Sequence, residues 1–311
     1  MPPSKYVDML TDFGFKRIFG DKELLISFLN ALFEKEGKVI KSVRYLNKEI
    51  TPLSLDERLI IYDVFCKVDK GEDFILEMQH KPQETFKERS LYYLARSIVE
   101  QGETSKQWNY KLHPVYGIFI TNFTLLGEEK NMQVVREIAL LDRESKELFS
   151  DKMRMFFINL TAFRKKNEDE LNNNLERWIY NIKNMGTLTS APRMASSTPF
   201  CKLYTRAEIA AMPKAQQRQY EYSLRIYRDH LMDLETNRIQ KKRAKEEGLA
   251  EGRAEGRAEG LNEGLTKGLA QGLAQGRAEG LAQGRAEGLN ELFEKIRKKG
   301  YPEDLIADLL K

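Results

Sequence analysis

The chain has 311 residues, of which 32% are charged and 10% aromatic, and its net charge is +4. This composition excludes a wholly disordered protein, and the small positive excess alone does not indicate nucleic-acid binding. Two distant cysteines, Cys66 and Cys201, and the lack of any run of about 20 apolar residues argue against disulfides, a zinc site and a membrane span, so we expect a cytoplasmic protein.

The N-terminal residues favour two helices and a strand. Apolar residues at helical spacing predict a short helix with Asp12 as its expected N-cap. A second helix is predicted over residues 22–33, capped by Asp21, and a strand over residues 39–46.

The next segment has the pattern of a β-hairpin. Two β-rich runs, residues 59–68 and 73–79, flank the turn sequence DKGE. In a three-residue loop, Gly71 supplies the left-handed position and Val68 lies opposite Glu72. The turn therefore predicts a defined register for the hairpin.

This register places two acidic side chains on one face. Asp63 falls opposite Glu77, with β-carbons about 5 Å apart, and Gln79 points to the same side. A register shifted by one residue would put the carboxylates on opposite faces. A solvated face with ion pairs is the ordinary alternative for charged strand residues, but the neighbouring positions of both runs are strongly apolar.

Further elements complete an α/β pattern. Residues 84–101 predict a helix, residues 115–121 a strand buried on both faces, and residues 134–141 and 153–159 two more strands. Helices and strands in this order predict an α/β sandwich with a mixed sheet.

The second half of the chain is predicted to be helical. Helices are expected over residues 169–185 and, interrupted by Pro213, over residues 206–247. We therefore divide the chain into four segments: a core over 1–160, a helical region over 161–247, a glycine-repeat tail over 248–290 and a short C-terminal helical cap over 291–311.

The tail has the most regular sequence of the chain. From Gly248 to Gly288 a glycine occupies every fourth position, eleven in all. Each glycine costs a helix about 1 kcal/mol relative to alanine, so the helix is expected to be frayed or held by a partner. Four residues advance about 400° around a helix, so no side-chain stripe stays on one face. Self-association into a homo-oligomer through this tail is left open.

The paired carboxylates predict a metal site. Two acidic groups so close in a partly buried place repel one another unless a proton or a cation lies between them. Oxygen ligands favour Mg²⁺, with Mn²⁺ as a substitute, over zinc. Asp63 and Glu77 are therefore the candidate metal ligands, and such an ion supports hydrolysis of phosphodiesters.

These residues carry a resemblance to a known family. Asp63, thirteen further residues and then Glu77-Met78-Gln79 resemble the D…(D/E)xK signature of PD-(D/E)XK nucleases. Together with the DFGFKRIF sequence of residues 12–19, the helix after Gln79 and the glycine-repeat tail, they resemble the Rpn family of recombination-promoting nucleases and transposase-like proteins. The resemblance implies a PD-(D/E)XK fold, endonuclease activity on double-stranded DNA and a link to recombination.

Two positions depart from the common signature. Tyr62 replaces the proline before Asp63, a position that is not a ligand. Gln79 stands where most members have lysine, which is similar to the ExQ form within the family. Its amide can orient water but carries no charge. We expect Asp63, Glu77 and Gln79 to be catalytic, with Lys81 or Lys16 as the source of the missing positive charge.

Candidate DNA contacts lie near the signature. Arg89, Tyr93 and Arg96 share one predicted helix face at i, i+4 and i+7, where arginines bind phosphates and tyrosine packs on sugar or base. An ordinary solvated stripe with a buried tyrosine explains the spacing equally well. Lys16 is a further candidate for a phosphate contact, although a surface lysine has the same sequence pattern.

Two other functions remain open. Because Gln79 lacks charge, the chain is alternatively a catalytically inactive DNA-binding or assembly protein that oligomerises through its tail. A transposase with strand-transfer activity rests only on the family resemblance, since the sequence contains no helix-turn-helix or zinc-finger pattern.

Overall fold

The structure, a computed structural model, describes residues 4–47, 49–50, 60–102, 109–125 and 132–300. In this part of the chain a mixed sheet is flanked by helices, which confirms the predicted α/β class. The strands are β1 (Val43–Tyr45), β2 (Glu49–Ile50), β3 (Ile60–Ile61), β4 (Val64–Val68), β5 (Asp73–Gln79), β6 (Val115–Thr121), β7 (Val135–Leu141) and β8 (Leu148–Asn159). The α-helices are α1 (Asp12–Phe19), α2 (Lys22–Leu32), α3 (Phe86–Val99), α4 (Asn174–Asn184), α5 (Phe200–Ala207) and α6 (Lys214–Lys298).

Six of these strands form the main sheet. Their order is β1-β4-β5-β6-β8-β7, and β2 pairs with β3 in a separate two-stranded sheet. β6 runs parallel to both of its neighbours, β5 and β8, and the remaining pairs are antiparallel. All seven residues of β6 are buried, as predicted for a central strand covered on both faces.

The first two helices begin at side-chain caps. The hydroxyl of Thr11 accepts a hydrogen bond from the backbone N–H of Gly14, so Thr11 is the N-cap of α1. The expectation that Asp12 caps this helix was wrong, because Asp12 is its first helical residue. An acidic side chain in the first turn still stabilises the helix, because the N-terminus of a helix carries a partial positive charge. Asp21 caps α2 as predicted.

Helices cover both faces of the sheet. On one face the largest apolar cluster joins sheet residues such as Ile118 to α1, α2, α4 and α5, with Trp178 among its buried members. On the other face α3 places Phe86 and Leu94 against Phe119. Gly117 permits this close approach, because a β-carbon there would lie 2.5 Å from Cδ1 of Leu94. The hairpin β4–β5 therefore lies between two packed layers.

Several predicted boundaries are corrected. The run over residues 59–68 is not one strand, because Tyr62 and Asp63 separate β3 from β4, and residue 59 lies outside the described residues. The helix expected over residues 169–185 is preceded by a short 3₁₀ turn, and α4 starts only after its cap, Asn173. The predicted helix over residues 206–247 was wrong at its start, because α5 ends at Ala207 and α6 begins after Pro213.

The chain divides into two compact units, Met1–Leu231 and Met232–Lys311. The first runs past the boundary expected near residue 160, because Phe163 and Trp178 belong to the same apolar cluster as the sheet. The division of the chain into four segments that fold independently stays a prediction. α6 begins in the first unit and forms the described part of the second.

In the second unit, a β-carbon at any of the eleven repeat glycines would have no neighbour within 4 Å among the residues that the structure describes. α6 continues to Lys298 through the start of the C-terminal cap expected over residues 291–311, and residues 301–311 lie outside the described residues. No helix among the described residues is long and apolar enough to span a bilayer.

Candidate active site

The β4–β5 hairpin has the register that its turn predicts. Gly71 adopts φ +89°, and the N–H of Val68 donates to the carbonyl of Glu72 at 2.9 Å. Val64 then pairs with Leu76 along the strands. Continued by one residue, this register brings Asp63, immediately before β4, opposite Glu77 in β5.

Backbone N–H groups donate hydrogen bonds to the carboxylates of both Asp63 and Glu77. The N–H of Asp63 donates to Oε1 of Glu77 at 3.1 Å, and the N–H of Met78 donates to Oδ2 of Asp63 at 3.0 Å. The Glu77 carboxylate is thus anchored by the backbone of Asp63, and the Asp63 carboxylate by the backbone of Met78, the residue after Glu77. The predicted approach of the two acidic groups is confirmed.

The environment of Glu77 disfavours its negative charge. Glu77 is 7% exposed. Burial, followed by repulsion from the charge of Asp63, raises the pKa of the Glu77 carboxyl to about 8, against the opposing effects of the Asp63 N–H, Arg89 and Lys16. Removing a charged carboxylate from water is costly, and a cation at this position offsets that cost. The pair is therefore electrostatically suited to a divalent ion.

Lys16 lies at the edge of this pair. Its Nζ is 2.5 Å from Oδ1 of Asp12 and 3.9 Å from Oδ1 of Asp63. Burial acts to lower the pKa of Lys16, but the hydrogen bond to Asp12 and the charges of Asp12, Asp63 and Glu77 raise it. The ammonium group is therefore held in its charged form beside the carboxylates.

Gln79 is fixed at both ends of its amide. Oε1 accepts from Nη2 of Arg89 at 3.0 Å, and Nε2 donates to the carbonyl of Lys81 at 3.0 Å. Lys81 thus contacts Gln79 through its backbone rather than its charge. Sequence reasoning missed the contact between Arg89 and Gln79, although a cation early in the helix after β5 was a signal for it.

The other two predicted contacts on α3 differ in their surroundings. Tyr93 is half-buried, with its ring 5.3 Å from that of Tyr62. Burial, then the charge of Glu77, raises the pKa of the Tyr93 phenol. Arg96 is 5% exposed and lies 3.8 Å from Glu100. Burial therefore removes Arg96 from the surface that the spacing predicts for all three residues.

The donor set fits magnesium better than zinc. Among the described residues, no three His, Cys, Asp or Glu side chains gather into a metal site. A structural zinc site requires four protein ligands, whereas Mg²⁺ is bound by one or two carboxylates together with water and substrate phosphate. Asp63 and Glu77 meet this smaller requirement.

The comparison with family models agrees with this geometry. A model described as PD-(D/E)XK nuclease family transposase matches residues 9–237. The chain belongs to this family. The match includes Asp63, Glu77 and Gln79 and ends before the glycine repeat, and it confirms the resemblance inferred from the sequence. No curated protein and no solved structure gives a match to this chain. As a PD-(D/E)XK nuclease family transposase, the chain has a nuclease-like or transposase-like role, and nucleases of this type generally use divalent metal ions.

Proposed function

We propose that the protein is a metal-dependent DNA endonuclease that hydrolyses phosphodiester bonds, with Mg²⁺ as its ion and Mn²⁺ as a substitute. The observation that carries the proposal is the reciprocal anchoring of Asp63 and Glu77 across the hairpin, with Glu77 buried beside a second carboxylate. Double-stranded DNA as substrate, a link to recombination and a cytoplasmic location complete the proposal.

Asp63 and Glu77 are the residues that would hold the ion. Their backbone hydrogen bonds preorganise one oxygen of each carboxylate, so the pair needs little rearrangement to bind. When bound, a divalent ion lowers the pKa of water and stabilises the charge that grows on the phosphodiester.

Gln79 is proposed to orient the attacking water. A primary amide nitrogen carries two N–H groups, and one of those in Gln79 donates to the Lys81 carbonyl. Arg89 fixes the other end of the amide and also lies close enough to Glu77 to oppose its raised pKa. We therefore assign to Arg89 the positive charge that a lysine supplies in the common signature.

The DNA contacts are assigned by position. Lys16 and Arg89 place positive charge beside the carboxylates, where the scissile phosphate would lie. Tyr93, half-buried on the same helix as Arg89, is proposed to pack on a sugar. Arg96 is left out of the proposed interface because it is buried.

A second candidate is a catalytically inactive binding protein that assembles through the glycine repeat. The observation in its favour is the amide of Gln79, which carries no charge and is engaged at both ends. The two candidates make opposite predictions for metal-dependent cleavage.

Nicking of supercoiled plasmid by purified protein separates them. The wild type is expected to nick with Mg²⁺ and to stop with EDTA. Asp63→Asn and Glu77→Gln remove metal ligands and should each lower the rate by at least about 100-fold, since the ion is worth several kcal/mol in the transition state. Asp151→Asn, which changes an exposed aspartate on β8, is the matched control and should nick normally. Equal nicking by wild type and Asp63→Asn would indicate a contaminating enzyme and reject the proposal.

A further inference from the structure

A groove with a volume of about 820 Å³ lies beside the proposed catalytic residues. Lys16 and Gln79 line one side of it. The other side is formed by the first turns of α6, including Tyr222 and Ile226. A volume of this size is typical of small-molecule sites, and the groove continues directly from the residues that would contact a scissile phosphate.

Two histidines distant in sequence line this groove. His80 follows β5, and His230 lies on α6. Within the described part of the chain, Nδ1 of His80 and Nε2 of His230 are both buried and have no hydrogen-bond partner. Buried polar atoms are usually satisfied, so two unsatisfied ring nitrogens in one groove are available as partners for a ligand.

The chemistry of these nitrogens favours a neutral ligand. Burial, then the proximity of His230, lowers the pKa of His80 to about 4 against the opposing effect of a hydrogen bond to the Leu10 backbone, so its ring is uncharged at neutral pH. A neutral imidazole has one hydrogen-bond donor and one acceptor, which can pair with the acceptors and donors along the edge of a heterocycle. It carries no charge that would attract an anion.

The two arginines that line the groove make hydrogen bonds within its wall. Arg17 donates through Nη1 to Gln216 and through Nε to the carbonyl of Arg206, and Nε of Arg206 donates back to the carbonyl of Arg17. These bonds hold α1, α5 and α6 together along the groove. The guanidinium groups therefore have a structural use that does not require a bound phosphate.

The mouth of the groove exposes aromatic and apolar groups. Tyr222 is 64% exposed and Ile226 is 52% exposed, and the ring of Tyr227 lies 5.0 Å from that of His80. Aromatic side chains stack on nucleobases with little dependence on sequence. An exposed tyrosine in the same groove as two imidazoles thus offers a stacking surface in addition to hydrogen-bonding groups.

We propose that this groove binds an unstacked nucleobase next to the cleaved bond, with the base stacked on Tyr222 and its edge facing His80 and His230. The inference rests on the proposed nuclease function and adds a substrate preference to it. Moving a base out of a duplex costs a few kcal/mol and costs least when the base is unpaired. DNA with an unpaired nucleotide at the site should therefore bind better than a fully paired duplex.

The test measures binding in the full-length Asp63→Asn protein, in which cleavage does not interfere. Fluorescence anisotropy gives the affinity for a paired duplex and for the same duplex with one unpaired nucleotide. We expect at least about tenfold tighter binding to the unpaired form. Tyr222→Ala should reduce that preference by about tenfold, since stacking contributes about 1–3 kcal/mol per base. His230→Leu should also reduce this preference, because it replaces the ring nitrogens by an apolar side chain. Phe149→Ala, which removes an 81% exposed ring from β8, is the matched control and should leave it unchanged.

Equal affinity for the two DNAs, or a preference unaffected by Tyr222→Ala and His230→Leu, would overturn the inference. Absence of binding to either DNA would overturn it as well. Because plasmid nicking by the wild type is measured separately, nicking without a preference rejects the groove alone. A Tyr222-dependent preference without nicking supports the groove and rejects the catalytic proposal.

Discussion

Arg89 donates a hydrogen bond from Nη2 to Oε1 of Gln79 at 3.0 Å, which joins the helix after the hairpin to the last residue of β5. The guanidinium also donates to Gln83 at 2.8 Å and lies over the rings of Phe86 and Tyr93. A positive charge is thus built into the site even though Gln79 replaces the lysine of the common signature.

The first prediction is that Gln79→Lys lowers nicking instead of improving it. The new ammonium would meet the Arg89 guanidinium, and the Arg89–Gln79 bond would be lost. Arg89→Gln should also lower nicking, because it removes the positive partner that the amide has among the described residues. The nicking rate of the double variant should be about tenfold higher than the two single-variant losses multiplied together would give, since residues in contact couple by about 0.5–3 kcal/mol. Arg143→Gln, at an exposed position beyond β7, is the control. Simple multiplication of the two losses would contradict the assignment of charge to Arg89.

The second prediction is that Glu77→Gln stabilises the metal-free protein while it abolishes nicking. Glu77 is buried beside Asp63, so a neutral amide of the same shape avoids the cost of a buried like-charged pair. We expect a gain of about 1–3 kcal/mol in the free energy of unfolding in EDTA, measured by urea denaturation. Added Mg²⁺ should stabilise the wild type more than the variant. A less stable variant in EDTA would show that Glu77 is needed for packing instead.

How far the sequence predicts this site depends on how local each feature is. The hairpin was predictable because Gly71 fixes the turn and a period of two then assigns Asp63 and Glu77 to one face. The continuous apolar run of β6 likewise indicated a strand covered on both sides. These features depend on neighbours within about fifteen residues.

Contacts between distant elements were not predictable in this way. Whether Arg89 or Arg96 reaches the surface depends on how α3 lies across the sheet, and both satisfy the same helical spacing. His80 and His230 have no ligand-like spacing, and only the packing of α6 brings them together. The sequence therefore indicated the carboxylate pair but not the groove beside it.

The third prediction concerns the turn that sets the register. A β-carbon at Gly71 would lie 2.8 Å from Nδ1 of His113, and φ +89° is strained for any other residue. Gly71→Ala should cost about 2–3 kcal/mol in urea denaturation and lower nicking by distorting the hairpin. Gly37→Ala is the matched control, since Gly37 has φ +64° but a β-carbon there would have no atom of the described chain within 4 Å. It should cost about 1 kcal/mol and leave nicking intact. Equal effects of the two variants would show that the His113 contact does not matter.

The fourth prediction is a loss of stability in acid that depends on His80. Its folded pKa of about 4 lies below the ordinary 6.5, so the unfolded chain binds more protons between these values. Stability should be complete above pH 6.5 and fall as the pH drops from 6.5 to about 4, by up to about 1.4 kcal/mol per pH unit. His80→Gln should flatten this part of the curve in urea denaturation between pH 7.5 and 4.5. His230, the Leu10 backbone and the ring of Tyr227 all interact with the His80 ring, and His230→Leu tests the contribution of His230. An unchanged slope in both variants would assign the acid sensitivity elsewhere.

The last prediction is that removal of residues 248–288 leaves the first compact unit folded. The buried residue of α6 is Tyr220, which lies before the deletion, and no repeat glycine has a described neighbour within 4 Å of a β-carbon. Helical ellipticity should fall with the 41 deleted residues, while the cooperative melting transition of the first unit stays within a few degrees of the wild type. Circular dichroism measures both quantities. Sedimentation of the two proteins then tests the tail as an assembly element, because self-association of the full chain should disappear on deletion. Loss of the cooperative transition would show that the first unit depends on the tail for its stability.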